Sequence, residues 1–234
     1  MWECIIINDG STDNTEQVAK SLCYKDKRVK YITQENEGVC VARNNAISQS
    51  SGEYILCLDA DDQISSNFLE ETVTLIESNT NIKIVTSTIY YYGGKQGQLI
   101  PKSYNLDIIL AENQIVITSL FRRSDYDSVN GFSLYMREGL EDWEFWIKLL
   151  KNGGIVKCAS NAIFYYRIKK NSRNDSIDLE KANKLRHKIW QNNKELFSKH
   201  FLNPMLSMEY NRITNSREYK LGQFLLRPIR KLIR

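Results

Sequence analysis

The sequence contains no CxxC pair and no clustering of Cys with His, although it holds five cysteines: Cys4, Cys23, Cys40, Cys57 and Cys158. An odd, widely spaced set of this kind argues against a zinc centre. Cys4 and Cys57 fall in apolar, strand-like runs, where a free thiol serves as a small hydrophobe, so a reduced, cytoplasmic setting is expected. The start of the chain has no secretory pattern, and no apolar run approaches the roughly 18 residues needed to span a bilayer. With only 11 glycines and three prolines in 234 residues, the composition carries no disorder bias and is long enough for a substantial core.

What is present is unevenly charged. The net charge is +4, yet residues 171–234 hold 14 Lys/Arg against 6 Asp/Glu, which leaves the preceding part acidic. An acidic body suggests carboxylates for a cation, and a basic tail suggests an anionic partner or simply a solvated helical face. Thirteen tyrosines suit stacking on a sugar or base, and suit a plain core equally. The basic residues lie away from the acidic segments, which argues against nucleic-acid binding.

Hydrophobic periodicity predicts alternating strands and helices over the first two-thirds. Glu3 to Ile7 reads as a strand ending in Asn8-Asp9-Gly10-Ser11, followed by a helix with Asp13 as N-cap and Glu16 three positions on. Val29 to Thr33 reads as a strand, and Val39, Ala42, Ala46 and Ile47 keep helical spacing. Tyr54 to Leu58 runs into Asp59-Ala60-Asp61-Asp62; Asn67 with Glu70 then forms a capping pair, and Ile82 to Tyr92 is β-branched and strand-like. This order predicts an α/β fold with a mostly parallel sheet and helices on both faces, and ligands bind beyond the carboxyl ends of such strands. Residues 1–173 are expected to form the body, and residues 174–234 a basic helical extension.

Three segments could carry chemistry. Asp59-Ala60-Asp61-Asp62 can aim a carboxylate at a hard cation, or can be an acidic turn that caps the next helix. Glu141-Asp142 stands at the head of a helix bearing Trp143, Phe145, Trp146 and Leu150; the helix macrodipole alone favours acids there. Asn36-Glu37-Gly38 leads into Ala42-Arg43-Asn44, where Gly permits close backbone approach and Arg can clamp a phosphate. The first is the sharpest of the three; the other two are weak in isolation.

In this order, together with Cys4 through Asp13, Gly52 through Asp62, and Gly131-Phe132 through Trp146, the segments resemble the inverting family 2 glycosyltransferases of GT-A fold. Tyr166-Arg167 with Ser172 resembles the close of that family's catalytic domain. The resemblance implies that Asp9 contacts a uracil, with Asn8 and Ser11 shaping its loop. Arg43, with Asn36, would line the nucleotide and diphosphate. It also implies that Asp59 and Asp61 form the DxD motif, with Asp61 the direct ligand of Mn2+ or Mg2+. Asp142 would be the general base and Glu141 its acidic neighbour. Lys169 replaces a His found in many relatives and would reach the diphosphate. The implied reaction is metal-dependent, inverting transfer from a nucleotide-sugar, a UDP-sugar by expectation, to a hydroxyl of a glycan or lipid-linked acceptor in bacterial-type surface polysaccharide synthesis.

Relatives of this kind place a strand and helix before the segment matching Glu3, whereas Met1 directly precedes it here. A missing first strand is therefore expected, leaving Ile5 and Ile7 on an open edge that invites oligomerisation. The alternative is a truncated, inactive nucleotide-binding or interaction module of the same fold. A haloacid-dehalogenase-type phosphatase also ends a strand in Asp-x-Asp, but it leaves Glu141-Asp142 unexplained. Finally, Leu221 to Arg234 spaces apolar and basic residues as in a helix lying on an anionic membrane, with Pro228 expected to kink it. That would make the protein peripheral to the inner membrane face.

Overall fold

The computed structural model describes residues 1–101, 104, 106–169, 178–200 and 208–232. The first half runs β1 (Cys4–Asp9), α1 (Thr15–Lys25), β2 (Val29–Gln34), α2 (Val39–Ser48), β3 (Tyr54–Leu56), β4 (Gln63–Ile64), α3 (Phe68–Glu77), β5 (Ile82–Gly93) and β6 (Gly97–Leu99). It continues with α4 (Leu106–Ala111), β7 (Leu120–Arg122), α5 (Arg123–Ser128), a 3-10 turn at Leu134–Met136, α6 (Glu141–Leu150) and β8 (Ile155–Ile168). Four helices follow: α7 (Leu179–Asn192), α8 (Lys194–Lys199), α9 (Met208–Asn215) and α10 (Arg217–Leu232). Ser172 and the 173/174 boundary lie outside the described residues.

The strands form two sheets. β1 and β2 make a parallel pair, with Ile5 opposite Lys30 and Ile7 opposite Ile32. The larger sheet has the order β3-β7-β5-β8-β4, with β6 paired to β5. It is mixed rather than mostly parallel: β5–β8 is parallel, while β3–β7, β5–β7, β4–β8 and β5–β6 are antiparallel. Strands as short as β4 and β7 are too brief to show a period of two, so the pattern that predicted parallel crossovers could not register them. The long β8 was hidden differently. Its ladder to β5 jumps from Ala159 to Ile163, and that irregularity breaks the alternation of its side chains.

The core lies on both faces of β5. Phe121, Phe132, Phe145, Trp146 and Ile84 gather on one side, packed with α6; Phe68, Ile76, Val85, Ile89 and Phe164 gather on the other, packed with α3. A strand covered on both faces favours β-branched and aromatic residues along its length, which is why Ile82 to Tyr92 was legible. The first core also holds Leu185 and Ile189 of α7, both buried, and Arg186 stacks over the Trp143 ring at 5.5 Å. The chain after residue 178 thus begins by packing back onto α6.

Two helix starts differ from expectation. α1 begins at Thr15 after Asn14, while the expected cap Asp13 accepts from the Thr15 backbone N–H at 3.0 Å, an Asx-type turn one step upstream of the observed N-cap. Asn67 precedes α3 without capping it, because its side chain donates to the Asn161 carbonyl at 3.1 Å and accepts from Ser65. Helix α10 runs through Pro228 without a break.

Among the described residues no ladder joins β1 to β3: β1 pairs with β2, β3 pairs with β7, and the other edge of each is unpaired. Ile5, Ile6 and Ile7 all keep partial solvent exposure. The two sheets are held together by α2, which packs on β1, and by Glu3. The Glu3 carboxylate accepts from Lys30 at 2.9 Å and from the Ser51 hydroxyl at 2.8 Å, as well as from the Ser51 backbone N–H. The Lys30 hydrogen bond and then those from Ser51 hold this carboxyl down at about 2.

Candidate active site

Because β3 and β7, and β7 and β5, are antiparallel, β3, β5 and β8 point the same way and their carboxyl ends share one edge. The chain leaves β3 at Leu56 and re-enters the sheet as β4 on the far side of β8, so residues 57–62 cross that edge. Hydrogen bonds pin the crossing. The Asp62 N–H donates to the Asp59 carbonyl at 3.0 Å, closing a turn, and the Tyr92 hydroxyl donates to the Asp61 carbonyl at 2.8 Å. Asp62 does not cap the next helix; it is buried and accepts from the Arg167 backbone N–H at 2.8 Å. Burial, reinforced by the neighbouring Asp61 and Asp59 charges, lifts its carboxyl to about 6.

Asp59 and Asp61, alternate in sequence, have different partners. Asp59 meets the Arg43 guanidinium at 3.0 Å, while Asp61 meets the Lys169 ammonium at 2.8 Å and stays about a third exposed. The other arm of Arg43 reaches Glu141 at 3.0 Å. Arg43 therefore ties the acidic crossing to the head of α6. It is largely buried, and its cost of burial is outweighed by Asp59 and Glu141, which keep it charged.

The residue before this helix, Leu140, has φ +56° in the left-handed region. That conformation costs a bulky residue roughly 1–2 kcal/mol. It turns the chain sharply into α6, whose first side chain is the buried Glu141. Asp142 follows, accepting from its neighbour's Trp143 N–H at 2.7 Å and from the Asn113 side chain at 2.9 Å. Burial, then the adjacent Glu141 charge, raises Asp142 to about 6 against the pull of those donors. Asn113 itself is fixed because Trp143 and Trp146 donate their indole N–H groups to the Ile109 and Ile115 carbonyls on either side. Nothing in the sequence marked Asn113, which sits among the ordinary polar residues Glu112 and Gln114.

The loop after β1 forms a neighbouring cradle. Asn8 is buried, donates to the Tyr31 hydroxyl at 2.9 Å and accepts from the Ser11 N–H at 2.8 Å. Asp9 turns toward the start of α2, accepting from Gln34 at 2.8 Å and from the Glu37 and Gly38 N–H groups at 2.9 Å. Gly10 sits at φ +77°, and a Cβ there would lie 2.9 Å from the Asn36 backbone nitrogen, so the two loops are in contact. Asn36 is exposed. The contacts thus join Asp59, Glu141 and Arg43 in one cluster. Asp61 with Lys169, and Asp142 with Asn113, sit beside it in sequence, and Asp9 belongs to the α2 end of the same region.

Among the described residues, no three His, Cys, Asp or Glu side chains gather as an all-protein metal cage. The donor set fits a cation held more sparingly. Asp61 is an accessible carboxylate, and a Mg2+-like ion needs one or two carboxylates when phosphate oxygens and water complete its shell.

Residues 1–143 match the family model for Glycosyl transferase family 2. The chain belongs to that family. An uncharacterized glycosyltransferase of Rickettsia bellii is 45% identical over 86 residues, covering 37% of this chain and 12% of that protein. One of Haemophilus influenzae is 28% identical over 214 residues, covering 82% and 64%. The chain thus spans less than two thirds of the length of these relatives.

Among solved structures, S. aureus TarS 1-349 in complex with UDP-GlcNAc superposes with a TM-score of 0.66 at 18% identity, covering 92% of this chain and 65% of that one. The mannosyltransferase PcManGT of Pyrobaculum calidifontis, in complex with GDP-Man and Mn2+, gives 0.61 at 13% identity, covering 87% and 60%. These likenesses establish the GT-A fold of the family 2 chain.

Proposed function

We propose that this family 2 chain transfers a sugar from a nucleotide-sugar donor, a UDP-sugar by preference, to a hydroxyl of a glycan or lipid-linked acceptor, with inversion at the anomeric carbon. The observation that carries this reading is the Arg43 bridge. It sets the Asp59–Asp62 crossing beside a helix head whose second residue, Asp142, has a carboxyl poised near neutrality.

A hydroxyl is a poor nucleophile at neutral pH, so a base must take its proton as it attacks. Asp142 is that base, held in orientation by Asn113 and by its own helix N–H. Glu141 is the acidic neighbour whose charge helps to raise it, and Arg43 keeps Glu141 in place. Direct displacement then needs no covalent enzyme intermediate.

The leaving nucleoside diphosphate gathers negative charge. Asp61 would hold Mn2+ or Mg2+, which supplies Lewis-acid neutralisation when bound. Asp59, already engaged by Arg43, would act as support, and Lys169 would turn from Asp61 to the diphosphate. The Asn8–Ser11 loop with Asp9 would receive the base, while Asn36 and Arg43 line the nucleotide and diphosphate. GT-A neighbours solved with UDP-GlcNAc, and with GDP-Man and Mn2+, support a cation-assisted nucleotide-sugar site.

Two substitutions test the reading together. Asp61→Asn should abolish Mn2+-dependent binding of a UDP-sugar measured by calorimetry. Asp142→Asn should leave that binding intact and remove transfer. Donor binding that is indifferent to Asp61, or transfer that survives without Asp142, overturns the assignment.

A further inference from the structure

Helix α10 exposes large apolar side chains that its neighbours do not cover. Leu221 is 58% exposed, Phe224 74% and Leu225 59%. At about 100° per residue these three and Pro228 share one stripe roughly 100° wide. Lys220 and Arg227 fall outside that stripe, on one side of it. The helix carries five basic residues against one acidic residue, Glu218. Its principal packing partner is α9, which adds exposed Ile213 and Tyr210 to the same C-terminal pair.

A helix face meant for the protein's own core is buried by it, as Leu185 and Ile189 of α7 are. The α10 stripe is open, and the polar side beside it has almost one sign of charge. A bilayer surface with anionic headgroups matches both properties at once: acyl boundary for Leu221, Phe224 and Leu225, phosphates for Lys220 and Arg227. A second protein surface would need an apolar groove with acidic walls of matching length.

We propose that α10 is an interfacial helix that seats the protein on an anionic membrane. It lies in the headgroup plane and does not cross it; no helix among the described residues is long and apolar enough to span. This inference does not depend on the sugar-transfer reading, since it rests on the exposed helix alone.

Flotation of the full chain with vesicles decides it. The chain should float with phosphatidylcholine vesicles containing about a third phosphatidylglycerol, and stay at the bottom with pure phosphatidylcholine. The Phe224→Glu/Leu225→Glu double variant should lose flotation while keeping the melting temperature of the parent, because both side chains are exposed. Lys220→Gln and Arg227→Gln should each weaken partitioning about fivefold and lower its sensitivity to salt. Three results overturn the proposal. One is no flotation with anionic vesicles, and another is equal flotation with neutral vesicles. The third is a parent chain that sediments as a dimer, becomes monomeric in the double variant, and binds no lipid.

Discussion

The Asn113 side chain donates to the Asp142 carboxylate across 2.9 Å, from a loop that two tryptophan indoles of α6 hold in place. This hydrogen bond favours the ionised form of Asp142, while burial and Glu141 favour the protonated form, and the balance leaves the carboxyl at about 6.

A pH profile follows from that balance. A carboxylate base works only when ionised, so kcat/KM should rise as pH increases through about 6 and level off above it. Asn113→Leu removes a donor to the ionised form and should move the midpoint upward by about one unit, with little change on the plateau. A midpoint in the ordinary carboxylate range, or one unmoved in the variant, would separate Asp142 from the rate-limiting proton transfer.

Asp62 gives a stability prediction of opposite character to an ordinary salt-bridged acid. Its folded-state value, about 6, lies above the ordinary 3.8, so the folded protein holds the proton more tightly. Its stability contribution is full below about pH 4 and is lost as pH rises through about 6. Asp62→Asn keeps an oxygen to accept the Arg167 N–H and removes the buried charge. It should stabilise the protein at pH 7.5 by on the order of 1–2 kcal/mol, and by almost nothing near pH 4. Urea titrations at the two pH values check the sign.

Arg43 is the least replaceable of the charged residues. Arg43→Ala leaves the buried Glu141 without its guanidinium partner and should cost about 3 kcal/mol in urea unfolding. Arg43→Lys retains the charge but not the two-armed reach to Asp59 and Glu141, and should recover only part of that loss. Full recovery by lysine would mean that charge alone, and not the bridge, holds the crossing to α6.

The small sheet should be the softer half of the body. Amides of Ile5 to Ile7 in β1 belong to a two-stranded sheet in which β1 has one unpaired edge among the described residues, whereas those of Ile84 to Ile89 sit in the middle of the larger one. Hydrogen exchange should be faster in the first set by on the order of a hundredfold. Equal protection would show that the two sheets open as one unit.

Legibility tracked how locally each feature was encoded. β1, β2 and β5 were readable from β-branched, aromatic and apolar residues bounded by turn signals, α6 from its helical spacing of apolar residues, and the Asp59–Asp62 crossing because its charges end an apolar run. β4 and β7 were not, since two or three residues carry no period. β8 was lost to the irregularity between Ala159 and Ile163. Glu141 and Arg43 could be picked out as residue types, yet the bond between them spans 98 positions and exists only once α2 and α6 pack together. Asn113 and the left-handed Leu140 belong wholly to that tertiary level. A leucine in that conformation has no sequence signature.

The unpaired edges of β1 and β3 have a mechanical meaning. A backbone ladder sets the spacing between strands rigidly, but the seam here is closed by a helix and by the Glu3–Ser51 contact, which yield to small sliding. Asp9 stands on one side of that seam and Asp61 on the other. On the proposed reading, the distance between the loop that would receive the base and the carboxylate that would hold the cation would set itself to the donor, as an adjustable jaw closes on a gauge block.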